Sequence, residues 1–326
     1  MQNCLLVRVD YLSVPPIWRR DGEAARKINR TTAGLSVANV IRFRRTSTPP
    51  TMANLLSKRA LLIFVSLGVA LAQQPKTVSF YEVSFVKTKP DKGSAYRSFL
   101  KTNAPLLQAG VKDGRWMSYG GAQVVTPTGT AQEHDFMLFA GFERFEQMEP
   151  SDVLPDSMKA ALTTLGYASQ EDYTAKRGAL RDVVRSEWWK REAGTTVTAD
   201  SLPKIGEYLV VTYLKMAPDK TKDYLAVWKK FSLPLQEERI KMGKLKSYSL
   251  CSVTGGAGTD AKYSMVSIVR YGSFKDLAPA DDAAAQNDAL ADRIHPGQDW
   301  RQWQRDMVSM RTIFRTEMLR IEQSVR

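Results

Sequence analysis

From residue 79 the chain alternates in polarity. Tyr81, Val83 and Phe85 fall on one face of a two-residue period, and Phe80, Glu82, Ser84 and Val86 fall on the other. β-branched and aromatic residues at that period predict a strand over 79–87. Lys89-Pro90-Asp91-Lys92-Gly93 is turn chemistry. From Ser94 the apolar positions recur at three and four, through Tyr96, Phe99, Leu100, Asn103, Leu107 and Val111. That spacing is an amphipathic helix. Pro105 lies inside it and should bend or break it, because proline lacks the N–H that a helix interior needs. Asp113-Gly114 ends the helix. Strands are predicted over 115–125 and 135–142, with a Gly/Thr/Pro loop between. Helical periodicity over 144–178 is punctuated by Pro150, Pro155 and Gly166. A strand rich in Val and Trp closes the segment over 180–191. The order is β-α-β-β-α-β, the split ferredoxin-like unit.

The pattern then repeats. At an offset of 128 residues, Lys87, Pro90, Asp91, Lys92 and Tyr96 fall on Lys215, Pro218, Asp219, Lys220 and Tyr224. After one inserted residue, Pro105, Gly114, Ser118, Tyr119 and Phe145 fall on Pro234, Gly243, Ser247, Tyr248 and Phe274. At an offset of 130, Arg185, Glu187 and Glu192 fall on Arg315, Glu317 and Glu322. The period marks an internal repeat. The expected organisation is one unit over 73–193, a polar linker over 194–204 and a second unit over 205–326.

Residues 1–51 carry no steady periodicity and read as a disordered or mis-called leader. A short basic stretch, a 13-residue apolar run and Ala70-Leu71-Ala72 follow from Met52. That order is a secretory signal peptide over 52–72, and it predicts export to the periplasm or beyond. The run is too short to span a bilayer, which takes about 20 apolar residues. Net charge is +13, yet residues 73–326 carry only +5, because the excess sits in the leader. No nucleic-acid partner is therefore expected. Past the leader, Cys251 is the sole cysteine, so no intrachain disulfide is available, and two histidines cannot build a His/Cys zinc site. No cofactor and no metal are expected.

The repeated P-D-K after the first strand, and the P-L-x-x-x-x-I-K-x-G-K-x-x-S-Y run closing the helix, resemble the dimeric α+β-barrel superfamily. Its relatives include NIPSNAP, EthD-like and antibiotic-biosynthesis-monooxygenase families. The resemblance covers 79–326 and implies an α+β fold, two sheets packed face to face into a barrel with helices outside. Two chains usually supply the sheets. Here one chain would supply both, as a monomeric pseudo-dimer or as a protomer of a homo-oligomer. The superfamily includes cofactor-free oxygenases, haem-binding enzymes, isomerases and exported proteins without known activity.

The candidate chemistry follows from which strand faces point inward. Tyr81, Val83 and Phe85, matched by Leu209, Val211 and Tyr213, suit the helix side, which leaves Glu82 pointing into the barrel. Two-residue spacing puts Arg185 with Glu187, and Arg315 with Glu317, on common faces. If inward, they are acid/base candidates or ion pairs that lock the units together. His134, opposite Tyr263 in the second repeat, is the candidate general base or haem ligand. His295 reads as a turn residue, Gly255-Gly256-Ala257-Gly258 as a hairpin loop and Cys251 as a buried small side chain. Trp188-Trp189, Trp300 and Trp303 read as core packing, with lining of an apolar pocket as the alternative. The sequence therefore points to an exported barrel that binds a small apolar ligand or a protein partner. A cofactor-independent monooxygenase or isomerase acting on an aromatic-type substrate is the alternative, and a haem-binding enzyme the third reading.

Overall fold

The computed structural model describes residues 77–326, apart from 128, 130–131, 150–152, 196–202, 257–261, 279–281 and 326. The expected leader and signal peptide lie outside the described residues. Eight antiparallel strands close into one barrel in the order β1-β3-β2-β8-β5-β7-β6-β4. The first half contributes β1 (Phe80–Thr88), β2 (Ser118–Thr126), β3 (Phe136–Phe142) and β4 (Arg181–Gly194). The second contributes β5 (Tyr208–Met216), β6 (Ser247–Gly255), β7 (Met265–Tyr271) and β8 (Arg311–Val325). Helices α1 (Gly93–Thr102), α2 (Ala104–Lys112), α3 (Asp156–Thr164) and α4 (Gln170–Gly178) belong to the first half. Helices α5 (Thr221–Val227), α6 (Leu233–Lys241), α7 (Ala283–Ile294) and α8 (Trp300–Ser309) belong to the second. The class is α+β, and each half runs β-α-β-β-α-β with both of its helical segments divided in two.

The halves share local features. Asp91 and Asp219 both take positive φ, 61° and 59°, in the turn after the first strand. Asp tolerates that conformation because its short side chain can bond locally to the backbone. Pro105 sits in the first turn of α2, and the helix breaks before it at Asn103. Pro234 occupies the same place in α6, preceded by a π-helical turn over Trp228–Ser232. A missing N–H costs little at a helix start, so each proline sets a boundary.

The two long strands join the halves. The N-terminal part of β4 pairs with β1 and its C-terminal part with β6, while β8 pairs with β5 and then with β2. Each seam contains two register shifts, and Glu192 and Glu322 are the extra residues on the long strands there. Such an insertion bends the strand and raises its twist, which suits barrel closure.

One interior cluster takes residues from both halves, including Val83, Phe85, Met137, Trp189, Val211, Tyr213, Cys251, Val266 and Leu319. An eight-stranded barrel is just wide enough for side chains to fill. The strand faces are therefore the reverse of the sequence expectation. Tyr81, Val83, Phe85, Leu209, Val211 and Tyr213 point inward, whereas Val86 packs against Tyr96 and Leu100 of α1. Glu82 lies on the outer face with Val86, not in the barrel. The reason is volume: the bulkiest apolar set fills the closed interior, and the half-covered outer face accommodates a carboxylate. Burial raises the Glu82 carboxyl above its usual range, with Arg115 opposing.

Candidate functional site

The barrel has two chemically different ends. At one end, register places Glu187 opposite Val83 and Arg185 opposite Phe85, with Glu317 opposite Val211 and Arg315 opposite Tyr213. All four charged residues therefore share the interior face. Glu187 is 1% exposed and Glu317 is 2% exposed, so each carboxylate must find partners within the protein.

Those partners are present. Glu187 Oε1 accepts from Arg185 Nε at 2.8 Å and from the Tyr263 hydroxyl at 2.5 Å, and its Oε2 accepts from Trp189 Nε1 at 2.8 Å. Glu317 Oε2 accepts from the Tyr213 hydroxyl at 2.7 Å, and Arg315 Nη2 lies 3.1 Å from Oε1. His134 Nε2 stands 3.4 Å from Glu317 Oε2, with its ring edge-on to Phe85 at 4.8 Å. Glu133 bridges the halves, 3.2 Å from Arg185 Nη1 and 3.0 Å from Arg315 Nη1. Each guanidinium also covers a ring, Arg185 over Phe85 at 3.6 Å and Arg315 over Tyr213 at 5.1 Å. Burial pushes the Glu317 carboxyl up, but His134, the Tyr213 hydroxyl and Arg315 together hold it below the usual carboxylate range. Glu133 is likewise held low: the two arginines outweigh its desolvation. Burial and the adjacent carboxylates push the Tyr213 and Tyr263 hydroxyls up, so both stay protonated donors.

The structure thus brings together Arg185, Glu187, Arg315, Glu317 and His134, and leaves Glu82 outside. Glu133, Tyr213 and Tyr263 complete the cluster, and sequence reasoning misses all three. Glu133 reads as a loop residue, and each tyrosine reads as ordinary strand core. A haem does not fit His134, whose ring is fully buried and packed between Phe85 and Glu317. His295 is far from this cluster in the helix layer, with Nε2 3.1 Å from the Phe231 carbonyl and the ring against Trp303. Burial pushes the Cys251 thiol up to about 12, the opposite of an activated nucleophile. Trp300 and Trp303 pack in the core of the second half, Trp189 fills the barrel and Trp188 is 36% exposed. Gly255 ends β6, which pairs antiparallel with β7, Gly256 follows it, and Ala257 and Gly258 lie outside the described residues. Among the described residues no group of three or more His, Cys, Asp or Glu is placed to hold a metal ion.

The other end holds an open space. A cavity of about 110 Å³ is lined by Tyr81, Tyr119, Ala122, Phe139, Leu209, Ile268 and Ile321, with Ser118, Ser247, Ser249, Ser324 and Arg270 as polar members. The first half supplies Gly120 and Gly141 where the second supplies Ser249 and Arg270. Gly141 packs so closely that an added Cβ would lie 2.6 Å from Ser118 Oγ.

No protein-family model matches the sequence, and no curated protein matches it. Among solved structures, a provisionally assigned monooxygenase from Lactobacillus acidophilus superposes with a TM-score of 0.44 at 9% identity, covering 76% of this chain and 96% of that one. An anthrone oxidase-like protein superposes with a TM-score of 0.41 at 12% identity, covering 77% and 93%. A haem-binding protein from Thermus thermophilus gives 0.39 at 10% identity, covering 76% and 94%. The barrel assignment rests on the strand pairing in this chain.

Proposed function

We propose that the protein is an exported, non-catalytic barrel that binds a small, largely apolar molecule in the cavity beside β2, β3 and β7. One contrast carries this reading. The carboxylates of the charged end are taken up by its own side chains, while the opposite end holds a partly open, apolar-lined cavity of about 110 Å³. Concave, mainly apolar sites with a few polar groups are the usual form of small-molecule sites. The Arg/Glu cluster is then a latch between two halves descended from a duplicated unit. Acid/base work near neutral pH calls for a carboxyl raised towards that pH. Glu317 and Glu133 are shifted the other way, and both oxygens of Glu187 are occupied by donors. No helix among the described residues is long and apolar enough to cross a membrane.

Non-denaturing mass spectrometry of protein recovered from the exported fraction tests the proposal. The expected species begins at Gln73 and retains a small molecule or takes up acetone or 1-propanol. A chain starting at Met1 would overturn export. A chain that binds neither probe, with no rise in melting temperature, would overturn the binding function. The same spectrum reports whether the barrel is a monomer or a homo-oligomer.

A further inference from the structure

We propose that the cavity is built for a short monocarboxylate, with Arg270 as its anchor. The inference rests on the binding function proposed above. Arg270 is 3% exposed and lines the cavity. Its Nε and Nη1 are buried without a hydrogen-bond partner. Its counter-charge is shared: Glu207 Oε2 lies 3.3 Å from Nη1, and the same oxygen already accepts the Lys204 N–H at 2.8 Å. A buried guanidinium in this state carries an uncompensated desolvation cost, and an incoming acceptor would relieve it.

The contrast with the other arginines of the interior is informative. Arg185 and Arg315 recur in both halves, and each is faced by two carboxylates, although Arg315 too has Nε and Nη2 without a hydrogen bond; Arg270 is faced by Glu207 alone. Arg270 is opposed by Gly141 in the repeat, so it is not part of the shared scaffold. Its place in the apolar strand Met265–Tyr271 needs another reason.

Charge selects the ligand class. Among the lining residues the ionisable side chains are Arg270, Tyr81 and Tyr119. Burial pushes both tyrosine hydroxyls up, so they stay neutral. Arg191 is outside the lining: its Nε reaches Ser249 at 3.4 Å and its Nη2 donates to the Thr195 carbonyl. Arg270 is thus the one charged side chain of the lining, and Glu207 behind it is shared with the Lys204 N–H. A monocarboxylate supplies the missing acceptors, and its two oxygens match the guanidinium fork. A dianionic phosphate would bring a second negative charge beside Glu207. Size sets the chain length. A 150 Å³ cavity accepts benzene, with six non-hydrogen atoms, so about 110 Å³ suits roughly four, of which acetate is an example.

Calorimetric titration of the mature protein with acetate and with its neutral isostere acetamide tests the proposal. Acetate should bind about tenfold more tightly. In Arg270→Gln the two should bind within about twofold of each other, with acetamide little changed. Arg270→Lys, which keeps the charge and loses the fork, should retain part of the preference. If acetamide or acetone binds wild type as tightly as acetate does, the barrel binds small molecules and the carboxylate assignment is wrong. If none of the three binds, the binding function itself fails. Should Arg270→Gln not fold, the wild-type ratio of acetate to acetamide decides the matter.

Discussion

Replacing Glu187 with Gln should destabilise the barrel by about 3 kcal/mol. The carboxylate takes three donors, two on Oε1 and the Trp189 N–H on Oε2. A glutamine that keeps its oxygen towards Arg185 and Tyr263 turns its NH₂ towards the indole N–H, so two buried donors face each other. An unmet buried donor costs about 1–3 kcal/mol. Losing the charge beside Arg185 adds to that, but less than the 3–5 kcal/mol typical of a broken buried pair. The Arg185 side chain is 24% exposed and retains Glu133. At an m-value of about 3 kcal/mol/M, the urea midpoint should fall by about 1 M. Equilibrium urea unfolding followed by tryptophan fluorescence measures this. A double-mutant cycle with Tyr263→Phe should show that the two losses are not additive, because both act on one hydrogen-bonded group. Functional sites commonly carry strain that mutation relieves. A loss below 1 kcal/mol, or a gain, would refute the latch and return the cluster to the candidate active sites.

Three further outcomes are expected. Glu317 and Glu133 ionise more readily folded than unfolded, so their stabilisation is complete above the ordinary carboxylate pKa near 4.3 and is lost as pH falls through the lower folded values; Glu317→Gln should make the acid limb of stability against pH shallower. Glu82 is shifted upward, so its ionisation weakens the fold as pH rises; Glu82→Gln should raise the urea midpoint at pH 7, and the gain should shrink on acidification. Gly110→Ala should cost about 1–3 kcal/mol in the same assay, because the new Cβ would lie 2.7 Å from Cε3 of the Trp116 ring.

The fold is more legible than the site. Paired prolines, glycines and aspartates at a nearly constant offset identify two similar units, and the structure gives them matching turns and helix breaks. Strand faces are harder to read, because both faces of β1 are largely apolar. Phe80 and Val86 stand against Tyr81, Val83 and Phe85, and alternation alone does not say which set is wanted inside. Taking Glu82 as the functional group leads to the wrong choice; comparing volumes favours the aromatic set. Arg270 is easily overlooked because it lies near the end of an otherwise ordinary core strand. Its signal is comparative: an arginine in one copy against a glycine in the other. The bridge from Glu133 to both arginines joins residues 52 and 182 positions apart, a separation that no local pattern encodes.

The seam between β2 and β8 has a kinetic consequence. The strand that completes the first half's sheet is made last, some 200 residues after the partner edge it covers. During translation that edge waits with unpaired amides until the C-terminal segment leaves the ribosome. Nascent chains of this protein should therefore engage holding chaperones for most of their synthesis, and products ending before residue 311 should be cleared rather than accumulate.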